Sequence, residues 1–304
     1  MKNLCFVSSS RADYYLLNSL MLKVKNSKKF QFQIIITGSH LYKSHGMTIN
    51  NVVKDGFKVD LKIKLSSKTD QNTIIQNISK GISSFTHAYE KLKPNMVILL
   101  GDRFEIFSSA ISAYFLNIPI VHIHGGEVTL SSFDDAIRHC ITKMSQLHFA
   151  SNNIYRKRIM QLGENPKSVF NVGALGIERI KMMNFIKKKK LEEIIGFNFK
   201  RRNILITFHP ETLKVGQNEN NFKQVLLALK NLINTGLIFT SPNVDTEGQI
   251  IKKMIQKFVN QNKTNSILIN SMGAEVYLST MKLVNCVLGN SSSGIIEAPI
   301  LNTP

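Results

Sequence analysis

Runs rich in Val, Ile, Leu and Phe recur through the first 180 residues, most of them bounded on at least one side by Gly, Pro, Asn or Ser. They fall at 3–8, 32–37, 59–63, 97–100, 120–123, 147–150 and 169–172, and their length and β-branched content predict buried strands. Segments between them, such as FEIFSSAISAYFL at 104–116, repeat apolar residues at helical spacing. A second series starts with NILITFHP at 203–210. It continues through a helix at 222–232, LIFTSP at 237–242, a helix at 248–259, SILIN at 266–270, a helix through 276–280, VNCVLGN at 284–290 and a helix opening at Ser292. Strand and helix alternate throughout, which predicts an α/β class protein with parallel sheets. The expected division is a doubly wound domain over 1–180, a connection over 181–202 and a second doubly wound domain over 203–304.

The polar positions are unevenly placed. Residues 101–148 hold three Asp, two Glu, two Arg and four of the eight His in a sequence otherwise rich in Lys. Ionisable groups gather where protons move and anions bind. PNMVILL followed by GDR, and IPIVHIH followed by GGE, read as two parallel strands joined by a helix. Asp102 and Arg103 then stand just past the carboxyl end of one strand, and His124 and Glu127 past the next, on the edge where open α/β sheets bind ligands. FDDAIRHCITKMSQL reads as the following helix, with Asp134 in its first turn and Arg138 four residues on, facing the same side. Arg is scarce, at 8 residues against 31 Lys, and its fork suits phosphate or carboxylate. Arg11 follows the first strand in the same way. GNSSSG at 289–294 places a Gly and three Ser at a strand-to-helix turn, where backbone N–H groups, hydroxyls and the helix dipole attract a phosphate.

These motifs carry a resemblance. SSSRADYYLL, TGSHL with Gly46 and Thr48 after it, LGDRFEIF, HIHGGE, DDAIRH, QLGE, TFHPET and GNSSSGIIEAP occur in the order found in the hydrolysing UDP-N-acetylglucosamine 2-epimerases. Those bacterial enzymes release N-acetylmannosamine for sialic-acid-type sugars. The resemblance implies two Rossmann-like domains facing a cleft, GT-B-like in arrangement, with no cofactor, a UDP-sugar substrate and a homodimer. It implies elimination of UDP to leave 2-acetamidoglucal, then hydration to N-acetylmannosamine. Asp102 and Asp134 match acidic positions that the family uses for proton traffic. His124 stands where much of the family has Glu, and Glu127 is the nearby alternative. Substrate contacts carried over are Arg11, His209, Ser291, Ser292 and Glu297; Arg103 and Arg138 are read as further contacts from their places in the motifs, and Asn243 from the equivalent turn after LIFTSP. GNSSSGIIEAPILNTP stops where the family enters a further strand, so the second domain is expected to be incomplete. Relatives with nearly the same motifs act on UDP- or GDP-2,4-diacetamido-2,4,6-trideoxyglucose in legionaminic acid synthesis, which stays an alternative. A non-catalytic nucleotide-sugar binder and a glycosyltransferase of similar fold stay open as well.

Charge changes the picture little. The formal net charge of +19 is mostly Lys scattered along the chain, without aromatic-interleaved basic strands, so nucleic acid is not expected as a partner. The run at 187–190 reads as a solvated face of the connection. No apolar run is long enough to span a bilayer and no leader pattern opens the chain, so a cytoplasmic protein is expected. Cys5, Cys140 and Cys286 are odd in number, far apart and set in apolar or helical patterns, so they read as buried thiols rather than a zinc or disulfide framework. His122, His124, Asp134 and His139 lack a standard ligand spacing, so no metal is expected, and His122 reads as a packed core histidine.

Overall fold

The computed structural model describes the chain except residues 69, 130–131, 212–215 and 243–246, and the side chains of 178, 179 and 182. Two compact units divide at Gly176 and Ile177. The first runs β1 (Lys2–Ser8), α1 (Arg11–Lys25), β2 (Phe30–Thr37), α2 (Ile49–Lys54), β3 (Leu61–Ile63), α3 (Gln71–Leu92) and β4 (Met96–Leu100). It continues α4 (Phe104–Phe115), β5 (Ile120–Ile123), α5 (Phe133–Met144), β6 (Leu147–Ala150), α6 (Asn153–Gln161) and β7 (Val169–Asn171). Among the described residues its strands form one parallel sheet in the order β3-β2-β1-β4-β5-β6-β7. The sheet is apolar on both faces. Val7, Ile35, Val97 and Leu99 pack on one side with Phe85 and Ile106, and Phe6, Ile34, Ile36 and Ile98 pack on the other with Tyr14 and Leu17. Strands covered by helices on both faces read as unbroken apolar runs, which is why they were visible in the sequence.

The second unit contains α7 (Ile177–Met182), α8 (Lys188–Ile195), β8 (Arg202–Thr207), α9 (Asn218–Lys230), β9 (Thr235–Thr240), α10 (Gly248–Gln261), β10 (Ser266–Ile269), α11 (Gly273–Leu283), β11 (Cys286–Gly289) and α12 (Ser293–Ile296). Its parallel sheet has the order β10-β9-β8-β11. The expected connection is part of this unit's core. Leu191, Ile195 and Phe197 are buried with Leu205, Ile238 and Met281, while Lys187, Lys188, Lys189 and Lys190 face solvent. The Lys run and the buried stripe therefore belong to one amphipathic helix. The thiols need correction too: Cys5 is buried, but Cys286 is only partly so and Cys140 is exposed. No described helix is long and apolar enough to cross a membrane.

Candidate active site

In the first sheet, β1 lies between β2 and β4, and chain order reverses there, so the crevice outside β1 and β4 is the expected ligand position for an open α/β fold. The loop leaving β1 is fixed from below. Asp13 accepts hydrogen bonds from the Ser8 hydroxyl at 2.5 Å, the Ser9 hydroxyl at 2.8 Å and the Ser9 N–H at 2.8 Å, and it closes a capping box with Ser10. Burial would raise the Asp13 carboxyl, but the hydrogen bonds and His40 bring it below the usual carboxylate range. Arg11, the first residue of α1, is half-buried and leaves directly from this braced turn. The neighbouring loop after β2 approaches so closely that a Cβ on Gly38 would collide with the Ser9 carbonyl. Gly38 also has φ of +57°, so two constraints select glycine there.

Past β4, Gly101 turns the chain with φ of +76° and Asp102 pairs with Arg138 of α5. The Arg138 side chain is 6% exposed. The same Nη2 donates to Thr129 Oγ1 at 2.9 Å, and Nη1 lies 3.7 Å from Asp135 Oδ1. The helix partner of Arg138 is thus Asp135, three residues away, while Asp134 accepts from the Ser132 hydroxyl at 3.0 Å. Burial raises the Asp102 carboxyl, Arg138 opposes that, and the negative charge of Asp134 adds to it, leaving a pKa of about 6. Arg103 is aimed differently: its Nε donates to the buried Glu105 at 3.2 Å, on the first turn of α4.

At the end of β5, His124 takes φ of +62°, a conformation that costs a non-glycine residue energy and is kept where surroundings impose it. Its Nε2 accepts the Leu175 N–H at 3.2 Å, so the proton sits on Nδ1, which lies 3.2 Å from Glu127 Oε1. Glu127 also accepts the Ser151 hydroxyl at 2.7 Å. Burial pushes the Glu127 carboxyl up, but His124, Ser151 and Arg138 outweigh it and the net shift is downward. The glycines after His124 have steric reasons. A Cβ on Gly125 would meet Thr142 Oγ1 at 2.9 Å, and one on Gly126 would meet the Tyr155 carbonyl at 2.5 Å. His122 is a core histidine: Nε2 donates to the Gly101 carbonyl at 2.8 Å, Nδ1 accepts from Thr142 at 3.0 Å, and burial lowers its pKa to about 3. Among the described residues no three His, Cys, Asp or Glu side chains gather as a metal site would require.

The second sheet has its own order reversal, between β8 and β11. His209 follows β8 and the Ser-rich turn follows β11. Burial lowers His209 to about 4, so the imidazole is neutral near pH 7. The helix after the turn, α12, spans only four residues, so its dipole contributes little to anion binding. Hydroxyls are the donors instead. Tyr277 OH lies 2.6 Å from Ser293 Oγ, which donates to Ser291 Oγ at 3.1 Å, and Ser292 is exposed. Glu297 ends α12, and burial raises its carboxyl. Asn243 lies outside the described residues. Asn290 escaped the sequence reading altogether, although it sits inside the quoted turn. Its side chain pairs with both backbone groups of His209, accepting the N–H at 2.8 Å and donating to the carbonyl at 2.7 Å.

Comparison with known proteins supplies the family. Over its full length the chain is 43% identical to a Campylobacter jejuni protein described as GDP/UDP-N,N'-diacetylbacillosamine 2-epimerase (hydrolyzing), covering 79% of that protein. It is 38% identical over 303 residues to polysialic acid biosynthesis protein P7 of Escherichia coli, covering 99% of this chain and 77% of the relative. The fold matches the UDP-GlcNAc 2-epimerase from Neisseria meningitidis, solved bound to UDP-GlcNAc, with a TM-score of 0.82 at 21% identity, over 100% of this chain and 81% of that one. A family model described as UDP-N-acetylglucosamine 2-epimerase matches residues 22–304. The chain therefore belongs to the UDP-N-acetylglucosamine 2-epimerase family.

Proposed function

We propose that the protein is a hydrolysing 2-epimerase that releases a nucleoside diphosphate from an N-acetylated amino sugar while inverting C2. The proposed sugar is N,N'-diacetylbacillosamine, which is 2,4-diacetamido-2,4,6-trideoxyglucose, linked to UDP or GDP. The observation that carries the reaction is Asp102, held by Arg138 with a carboxyl of about 6 at the edge that also bears Asp134 and His124. The Campylobacter jejuni relative, 43% identical over all 304 residues, supports the diacetamido sugar. UDP-N-acetylglucosamine is the second reading, favoured by the description of the matching family.

The C2 hydrogen of such a sugar is not acidified by a neighbouring carbonyl. As the C1–O bond to the diphosphate breaks, positive charge grows at C1 and the C2 proton becomes removable by a carboxylate. The C2–H electrons form the C1=C2 bond, and the nucleoside diphosphate leaves with the C1–O pair. Water then adds hydroxyl at C1 while an acid protonates C2 from the other face, giving the free 2-epimer. A carboxyl titrating near neutral pH accepts and returns a proton with little penalty either way. Asp102, Asp134 and His124 are the exchanging groups in this reading. Arg138 orients Asp102, and Glu127 holds the His124 tautomer. Arg11 and Arg103 supply cations for the departing diphosphate. The second unit takes the nucleotide through His209, Ser291, Ser292 and Glu297.

The test is proton NMR in D2O with UDP- and GDP-diacetylbacillosamine and with UDP-N-acetylglucosamine. The expected products are free nucleoside diphosphate and a 2-epimer deuterated at C2. A 2-epimer without deuterium would remove elimination from the mechanism. Turnover of UDP-N-acetylglucosamine alone would select the second reading, and no release of diphosphate from any of the three would remove the function.

A further inference from the structure

We infer that Asn290 is a positioning residue for the nucleotide side of the reaction: its carboxamide fixes the backbone of His209 and so aims the imidazole at the diphosphate of a nucleoside diphosphate. The inference rests on the reading that the second unit binds the nucleotide. Three observations carry it. The carboxamide forms two complementary hydrogen bonds to one residue on another loop, Oδ1 to the His209 N–H at 2.8 Å and Nδ2 to its carbonyl at 2.7 Å. A side chain with one acceptor end and one donor end is required for that pairing, which a carboxylate or hydroxyl cannot reproduce. The two loops it joins leave β8 and β11, the neighbouring strands at which the order of the second sheet reverses. Ligands of open α/β sheets bind there.

The approach of the loops is itself built in. Gly289 has φ of +148°, and a Cβ there would collide with the Thr207 carbonyl, so only glycine lets the end of β11 come so near β8. The Asn290 N–H then reaches the Thr207 carbonyl at 3.3 Å. Asn290 thus bonds to residues two positions apart in the loop leaving β8, Thr207 through its backbone and His209 through its side chain. Its hydrogen bonds to His209 are exposed to solvent. Water can replace the partners of either group, so losing the clamp costs orientation more than overall stability.

Calorimetric titration of the full chain with UDP tests this, using Asn290→Ala, Asn290→Asp, His209→Ala and the double variant Asn290→Ala/His209→Ala. Asn290→Ala should weaken UDP about tenfold, as expected for loss of one well-placed hydrogen-bonding group. Asn290→Asp keeps the acceptor for the His209 N–H but loses the donor to its carbonyl, and should fall as far or further. The double variant should bind UDP no more weakly than His209→Ala, because a clamp matters only through the group it holds. In turnover, KM should rise with UDP Kd while kcat changes less. Unaltered UDP affinity in Asn290→Ala beside a weakened His209→Ala would overturn the inference and leave the nucleotide assignment intact. Full additivity in the double variant would also overturn it. If the unaltered protein binds GDP and not UDP, the same variants are titrated with GDP; absence of binding to both nucleotides would sink the nucleotide assignment and this inference together.

Discussion

The two sheet edges are built on the same strand-to-loop plan and furnished with opposite chemistry. At the first, charged partners surround two carboxyls of altered acidity, Asp102 raised to about 6 beside Arg138 and Asp134, and Glu127 lowered beside His124. At the second, hydroxyls of Tyr277, Ser291 and Ser293 and a neutral His209 offer dipoles and donors. Groups of shifted acidity suit proton transfer, whereas uncharged donors on a clamped backbone suit holding an anion that must later depart.

Variants at the first edge sharpen that contrast most. Asp102→Asn should lower turnover on the order of a thousandfold while leaving UDP affinity within about twofold, the pattern of an interaction used only in the transition state. Asp134→Asn should behave alike, and an equal loss of UDP binding in either would erase the distinction between the edges. His124→Asn keeps a residue tolerant of φ near +60° but cannot exchange a proton, so turnover should fall roughly a hundredfold with little change in melting temperature. Full activity there would make Glu127 the better candidate.

The pH profile offers a finer test. If Asp102 must be ionised to take the C2 proton, kcat/KM should fall as pH drops through about 6. Replacing Arg138 removes the cation that lowers this carboxyl, so in Arg138→Met the acid limb should move to higher pH. Deleting one partner of a buried ion pair costs about 3–5 kcal/mol, so melting must be followed alongside. The smallest effect is on stability. His122 and His209 stay neutral when folded to about 3 and about 4 but take up protons near 6.5 when unfolded, so folding stability should decline as pH falls from about 6.5 toward 4. His122→Gln should flatten that decline; an unchanged slope would assign it elsewhere.

Much of this arrangement was legible because both sheets are parallel and doubly covered, so apolar runs marked the strands and the residues after them marked the edges. The placement of Asp102, His124 and His209 just past strand ends followed from that alone. Partner choice was not legible. Arg138 turns to Asp102, 36 positions away, and to Asp135 rather than the Asp134 four residues before it. Such choices depend on how α5 rotates against β4, which helical spacing leaves free. The left-handed turn at His124 had no marker either, since its residue type permits both conformations. Leu191 and Ile195, spaced four apart, could have identified α8 as a core helix, but the adjoining lysines drew the segment toward solvent. Asn290 was hidden by its company, in a turn whose serines already accounted for it.

The hydrogen bond from Leu175 N–H to His124 Nε2 lies one residue before Gly176, the last residue of the first unit. Breaking it would free Nε2 while Glu127 keeps the proton on Nδ1, and loss of the accepted hydrogen bond moves the Nε2 resonance. Nitrogen-15 labelling of this one histidine would therefore turn the ring into a spectroscopic gauge of the Leu175 contact, read without any substrate present.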